Sequence, residues 1–454
     1  MKSKTKALTP EEKLTQALLP REEWPYELPE GWVWTRLGNL TRIIGGGTPK
    51  TSVKEYYEEG NIPWISPADL SGYSDKYIQI GAKSITKLGL EKSSAVLMPA
   101  NTVLLSSRAP IGYVAIASKP ISTNQGFKNF LPSSAFLPEY LYWYLKGNIG
   151  LLEDYASGTT FLELSKSRAE QIPFPLVSLP EQQRIVDKIE SLFSKLDEAK
   201  DHLQKVLDGY EARRAAILHE AFSGKWTGDH GTGDMSVPKG WRKVKFTDVA
   251  EVKSNLVSPE DYPDFPHIAP DNIEKMTGRL LSYNTVQEDG VKSPKHHFFP
   301  GQILYSKIRP YLSKVVTVNF EGLCSADMYP IEAKENARYL WYYMLSNEFL
   351  NQAVSGKSRT VLPKINRKEL ANIQVLIPGL SLQQFIVDKL DAQFKNERMA
   401  KEVIQKTLIQ IDLMKKSILA RAFRGELGTQ DPSDPSALAL LKECVMEGKE
   451  GSKS

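Results

Sequence analysis

The segment STNQGFK (122–128), with the arginine of RAP (108–110) shortly before it, carries side chains suited to reading nucleic acid bases. A guanidinium can bond guanine through two hydrogen bonds, and a carboxamide can do the same for adenine. Arg108, Asn124 and Gln125 are therefore candidate base readers. From Lys92 to Pro138 there is no Asp or Glu, while Lys92, Arg108, Lys119 and Lys128 are basic. A second acid-free run, Gly290 to Phe320, carries Lys292, Lys295, Lys307, Arg309 and Lys314, with His296 and His297. A third, SGKSRTVLPKINRK (355–368), carries Lys357, Arg359, Lys364, Arg367 and Lys368. Strand-rich segments are often poor in acid, so one such run says little. Runs at corresponding places point to surfaces facing a polyanion.

Two weaker signals accompany them. GGGTPK (45–50) ends in a cation and reads either as a loop letting backbone approach a phosphate or as a plain turn; it lacks the Walker spacing. Ser157, Gly158, Thr159 and Thr160 could donate to phosphates, or could form a turn and strand start. Catalytic patterns are missing. The six histidines show no metal spacing with cysteine or carboxylate. There is no nucleophile elbow, no dinucleotide-binding glycine pattern, and no Asn-Pro-Pro-aromatic or Asp-Pro-Pro-aromatic run for holding a flipped base. The chain is expected to do no chemistry itself.

What positions these residues is a duplication. EQQRIVDKIE (181–190) returns as LQQFIVDKLD (382–391), and AILHEAFSGKW (216–226) as SILARAFRGEL (417–427). YLYWYL (140–145) returns as YLWYYM (339–344), LPEGWVWTRL (28–37) as VPKGWRKVKF (237–246), and NTVLLSSRAPIG (101–112) as GQILYSKIRPYL (301–312). NQGF (124–127) is expected to correspond to ADMY (326–329), and GGGTP to have no counterpart after Val252.

Each copy opens with a mixed region in which TVLLSS, GYVAIA, QILYSK and KVVTVNF read as strands. A helical region follows. Ile185, Ile189, Leu192, Leu196, Leu203, Leu207, Tyr210, Ile217 and Ala221 recur at helical spacing in the first copy. Ile386, Leu390, Phe394, Ala400, Ile404, Ile411, Ile418 and Ala422 do so in the second. Each pattern predicts one helix of about 40 residues, roughly 60 Å long at 1.5 Å per residue. A lone apolar stripe must be buried, and its own duplicate is the simplest partner. The expected fold is α+β: two mixed α/β domains joined by two long helices packed as an antiparallel coiled coil, pseudo-two-fold symmetric. The alternative is both helices buried in one large core.

A chain of 454 residues suggests two to four domains, with a globular mixture of 41% hydrophobic and 25% charged residues. The net charge of +4 permits nucleic acid without arguing for it. No stretch suits a membrane span or a secretory signal, and two cysteines, Cys324 and Cys444, fit a reducing cytoplasm.

STNQGFKNFLP (122–132), LPEQQRIVDKIESLF (179–193), SILARAFRGEL and the layout of two variable regions with two helical spacers resemble the specificity subunits of type I restriction-modification enzymes. The resemblance runs from LPEGWVWTRLGNL (28–40) to the tail. It implies two target recognition domains, each reading half of a split, asymmetric DNA site, with the paired helices setting the gap. It implies double-stranded DNA, two methyltransferase subunits and two motor-nuclease subunits as partners, and a cytoplasmic location. No cofactor is expected on this chain. S-adenosylmethionine would belong to the methyltransferase, which methylates adenine N6, and ATP and Mg to the restriction subunit. The expected division is an N-terminal arm (1–27), recognition domain 1 (28–178), a central spacer (179–225), a linker (226–236), recognition domain 2 (237–378), a C-terminal spacer (379–427) and a tail (428–454). The expected DNA contacts are Thr48, Pro49, Lys50, Arg108, Asn124, Gln125, Lys128 and Thr159, then Lys307, Arg309, Lys314, Lys357 and Arg359. A stand-alone DNA-binding or decoy protein, and a coiled-coil scaffold that binds only proteins, are the rival readings.

Overall fold

The computed structural model describes residues 9–158, 162–228, 237–355 and 363–447. The chain forms two compact units, Met1–Lys200 with Leu408–Ser454, and Asp201–Thr407.

In the first unit the strands Ile43–Gly45, Phe127–Phe130, Val103–Ser107, Ile111–Ala117 and Tyr77–Ile78 lie in that order across one sheet. The second unit repeats the first four positions with Ala250–Val252, Met328–Ala333, Ile303–Ser306 and Val315–Thr317. Beside each sheet runs a short parallel pair, Ile62–Ile65 with Ser122–Thr123 and His267–Ile268 with Gly322–Cys324. The apolar runs read as strands are strands, and Val103–Ser107 is buried at every position because both faces are covered.

The same register corrects one expected correspondence. Val103 pairs with Phe130 as Ile303 pairs with Ile331, and Ser106 pairs with Phe127 as Ser306 pairs with Met328. NQGF therefore answers to SADM (325–328), one residue earlier than ADMY. Ile43 pairs with Phe130 as Val252 pairs with Ile331, and the matched register ends there: Leu256 and Val257 pair with His296 and Lys295, whereas Gly47 N–H donates to the Thr123 carbonyl at 2.9 Å.

Each unit's core closes on a pair of tyrosines one helical turn apart. Tyr140 and Tyr144 share a face of the helix Pro138–Gly147. Their hydroxyls donate to the carbonyls of Pro175, at 2.9 Å, and Pro173. Tyr339 and Tyr343 of Ala337–Met344 donate to Leu376, at 2.7 Å, and Gln374, at 3.1 Å. The Phe423 ring lies 5.2 and 5.1 Å from the first pair, and Phe222 lies 5.4 and 5.1 Å from the second. Each repeated AF phrase thus ends a helix of one copy by filling the aromatic socket of the other.

The second long helix runs unbroken as Leu380–Phe423. The first departs from expectation. It is Leu179–Asp208 and then Tyr210–Phe222, interrupted at Gly209, whose ψ is −7° although its N–H still reaches the Lys205 carbonyl at 3.2 Å. Glycine is a weak helix former, and this is where the backbone leaves the helical dihedrals. Within the first unit Lys200 meets Asp412 at 2.8 Å and Asp197 meets Lys415, so the partner's number rises as the first falls. Within the second, Arg214 meets Glu397 at 3.9 Å and Lys389 covers the Trp226 ring at 4.3 Å. The segments pair antiparallel in both units.

The termini belong to the first unit's core. Pro10–Ala17 starts with a capping box between Thr9 and Glu12 and buries Ala17. Residues 428–447 fold back so that Leu441 is fully buried, and Arg184 grips Asp434 with both terminal nitrogens. No helix among the described residues is long and apolar enough to cross a membrane.

Candidate nucleic-acid interface

In the first unit the strand Val103–Ser107 delivers its last residue to a loop crossing. Ser107 N–H donates to the Gly126 carbonyl at 2.7 Å and its carbonyl accepts from Leu164 N–H at 2.9 Å. Asn124 anchors the loop. Its N–H donates to Ile65, and its side-chain oxygen accepts from Gly126 N–H, both at 2.8 Å. The Asn124 oxygen thus shapes its own turn. Gln125 is exposed and its carboxamide oxygen accepts from the Thr48 hydroxyl.

The glycines of GGGTPK are needed for close packing. A Cβ on Gly46 would stand 1.8 Å from the Asn124 carbonyl oxygen, and one on Gly47 would stand 2.2 Å from the Ala95 nitrogen. Pro49 is buried, its carbonyl accepting from Tyr57 at 2.6 Å, while Lys50 is exposed. The loop is pinned, in contrast to the flexible phosphate loop that its composition allowed.

Arg108 and Lys128 converge on one carboxylate. Glu163 lies 3.6 Å from the Arg108 guanidinium and 3.8 Å from the Lys128 ammonium. Lys128 is 7% exposed and donates to the Ser107 hydroxyl at 3.0 Å. Burial pushes its pKa down, while Glu163 works in the opposite direction. Lys128 supports the face from beneath, and Arg108 stands beside it at the surface.

The second unit repeats this crossing atom for atom along the backbone. Lys307 N–H donates to the Asp327 carbonyl and its carbonyl accepts from Ile365 N–H, both at 2.9 Å. Ser325 takes the part of Asn124: its N–H donates to Ile268 at 2.9 Å, and its hydroxyl accepts from Asp327 N–H at 3.2 Å. The charges are rearranged on this frame. Asp327 stands where Gly126 does, and Lys364 stands where Glu163 does. Asp327 is held 3.9 Å from Lys307 and 3.4 Å from Lys364.

The predicted cations of this unit divide. Lys307 donates to the Ala326 carbonyl at 2.6 Å, and Lys314 to the Pro270 carbonyl at 2.7 Å. Arg309 is exposed with φ at +48°, and its N–H donates to Pro363 at 2.8 Å. Thr159, Lys357 and Arg359 lie outside the described residues. Sequence reading missed Glu163, which falls outside every acid-free run, and matched Asp327 one position off. Carrying the Ser107–Lys307 equivalence through the strand register would have found both.

Among the described residues no group of three or more His, Cys, Asp or Glu side chains could hold a metal. The arrangement offers two loop crossings with exposed hydrogen-bonding side chains over buried supports.

Comparison with known proteins completes the picture. The family model described as the type I restriction modification DNA specificity domain matches residues 29–207 and again 238–406. The chain is 37% identical over 451 residues to the type I restriction enzyme EcoDI specificity subunit of Escherichia coli, covering 93% of this chain and 96% of that protein. It is 29% identical to the MjaIX specificity subunit of Methanocaldococcus jannaschii, over 89% and 95% of the two chains. Its fold is shared with the HsdS subunit from Thermoanaerobacter tengcongensis, with a TM-score of 0.60, 19% identity and coverage of 89% of this chain and 100% of that one. It is shared also with a chain from work on complex assembly and conformational transition of the type I R-M system, with a TM-score of 0.66, 20% identity and the same coverage.

Proposed function

The chain belongs to the type I restriction modification DNA specificity family, and on that footing we propose that it reads a bipartite, asymmetric DNA site and recruits catalytic subunits to it. The carrying observation is the repeated loop crossing with altered side chains. Ser107–Gly126 and Lys307–Asp327 make the same backbone bond, while Asn124, Gln125 and Glu163 give way to Ser325, Ala326 and Lys364. Equal frames with unequal donors and acceptors suit two different half-sequences.

The recognition regions would be residues 28–178 and 237–378, with Thr48, Lys50, Arg108, Asn124 and Gln125 facing DNA in the first and Lys307, Arg309 and Lys314 in the second. Lys128 would act from beneath, and Pro49 through its loop. Thr159, Lys357 and Arg359 would complete the two faces. The chain would perform no chemistry itself. Two methyltransferase subunits would bring S-adenosylmethionine to adenine N6, and two motor-nuclease subunits would bring ATP and Mg, all in the cytoplasm. The helices at 179–225 and 379–427 would set the spacing between half-sites.

The test is single-molecule sequencing of adenine methylation in a methylation-free host. One culture expresses this chain with its neighbouring methyltransferase subunit, and the control expresses the methyltransferase alone. A split, asymmetric motif that appears only with this chain is expected. No new methylation from copurifying proteins would favour a decoy or a scaffold that binds only proteins.

A further inference from the structure

The turn Arg309–Ser313 joins the strands Ile303–Ser306 and Val315–Thr317, and its backbone is unusual at both ends. Arg309 has φ of +48° and Ser313 of +43°, the left-handed region that non-glycine residues avoid. A third such residue, Met276 with φ of +61°, abuts the turn, its N–H donating to the Leu312 carbonyl at 3.1 Å. Strain of this kind persists only where the surroundings fix it, and here they do. Arg309 N–H is tied to Pro363 at 2.8 Å, Pro310 is buried, and the buried Ser313 hydroxyl donates to Met344 at 3.4 Å. What this mount presents is Tyr311, 51% exposed, with no hydrogen bond to its hydroxyl among the described residues.

One exposed aromatic is ordinary on a protein surface. The first unit shows why this one is not incidental. Leu105 pairs with Val114 there as Tyr305 pairs with Val315 here. Between Pro110 and Val114 stand three residues, and between Pro310 and Val315 stand four. In the shorter turn the residue after the proline, Ile111, tucks inward and is 8% exposed. In the longer one it is Tyr311, turned outward beside the exposed Arg309 in an acid-free run. The flanking Lys307 and Lys314 are tied to carbonyl oxygens. Arg309 and Tyr311 are thus the groups that the turn leaves available.

We propose that the 309–313 turn is a rigid reading finger of the second half-site and that Tyr311 is a specificity-determining residue, its ring packing on a base edge next to the one Arg309 bonds. An apolar ring face suits the thymine methyl, the one hydrophobic group on the major-groove edge. Holding the turn in one conformation before binding removes part of the ordering cost that a mobile loop would meet. The assignment rests on the DNA-specificity reading above.

The experiment is methylation sequencing of Tyr311→Ala, Tyr311→Phe and Arg309→Ala, each coexpressed as full chain with the methyltransferase subunit. Tyr311→Ala should lose about tenfold in discrimination at one position of one half-site, the scale of a single mismatched base pair. The other half-site and the gap should stay intact, which also reports that the protein has folded. Tyr311→Phe should retain the wild-type motif, because the ring carries the effect. Complete loss of methylation in Tyr311→Ala that is restored in Tyr311→Phe supports the same role. An unchanged motif in Tyr311→Ala, a change in the half-site that Arg309→Ala leaves alone, or loss in both Tyr311 variants overturns it. If the wild-type chain directs no split motif, the DNA-specificity reading itself fails and this assignment falls with it.

Discussion

The two loop crossings share a backbone and differ in where they keep their charge. In the first unit Glu163 comes from the segment after the crossing and is clasped by Arg108 and Lys128. In the second, the carboxylate has moved to the loop as Asp327, and a cation, Lys364, occupies the position of Glu163. Each face keeps one acid between two bases. Duplication preserved the hydrogen bonds that hold the frame and left the side chains above it free to diverge. That is how one fold can present two recognition surfaces without two architectures.

The comparison breaks hardest at the sockets. Phe423→Ala should destabilise the first unit by about 3–5 kcal/mol and Phe222→Ala the second by a similar amount, because each ring fills a buried tyrosine pair. Hydrogen exchange should show protection lost in one unit per variant. Equal loss in both units from either variant would contradict independent sockets.

Arginine removal sharpens it next. Arg108→Ala and Arg309→Ala should each cost about 1–3 kcal/mol of discrimination, in different half-sites of the methylated motif. The same half-site changing in both would end the assignment of one reading face to each unit.

Opening the clamps is a smaller perturbation. Glu163→Gln frees Arg108 and Asp327→Asn frees Lys364, while Lys128 and Lys307 keep their bonds to the Ser107 hydroxyl and the Ala326 carbonyl. The dependence of log affinity on log salt should steepen by up to about 0.9 for each freed cation that reaches a phosphate. Identical slopes before and after would show that the clamped cations stay off the backbone.

The smallest difference is in acid response. All six histidines fall within residues 201–407, and none in the first unit. His296 is buried, and burial, then Lys307 and Arg367, hold its pKa below the ordinary value. The folded state keeps it neutral while the unfolded chain takes up a proton near pH 6.5. Its contribution is therefore complete above that pH and is lost as pH falls through about 6.5 towards the depressed folded value. Hydrogen exchange against pH should show the second unit weakening first, with His296→Gln flattening the trend.

Much of this was legible beforehand, and the reasons differ by feature. The copy boundaries, the strands at TVLLSS and QILYSK, and the helical seams follow from local periodicity and self-similarity. The one-residue slip between NQGF and its counterpart was not legible, because matching by residue type favoured Tyr329 over Met328 for Phe127, and only strand register decides. The Gly46 and Gly47 packing depends on Asn124 and Ala95, both distant in sequence. The same is true of Glu163, whose two cations lie tens of residues upstream. The unbroken first helix was over-read because the apolar spacing continues through Gly209. The 309–313 turn hid its extra residue, since the prolines align and the insertion shows only once Val114 and Val315 are paired.

The crossed aromatic sockets also set a timetable for synthesis. Every buried residue of the second unit's main core, from Leu218 to Phe394, lies in one continuous stretch. The first unit's core joins Leu37, Phe174 and Ile189 to Leu419, Phe423 and Leu441. A ribosome that has made the first unit's sheet must therefore finish the whole second unit before the ring that seals Tyr140 and Tyr144 exists. The domain encoded first completes last, and its open tyrosine socket waits on the nascent chain for the final helix, exposed to whatever holds unfolded apolar surface in the cell.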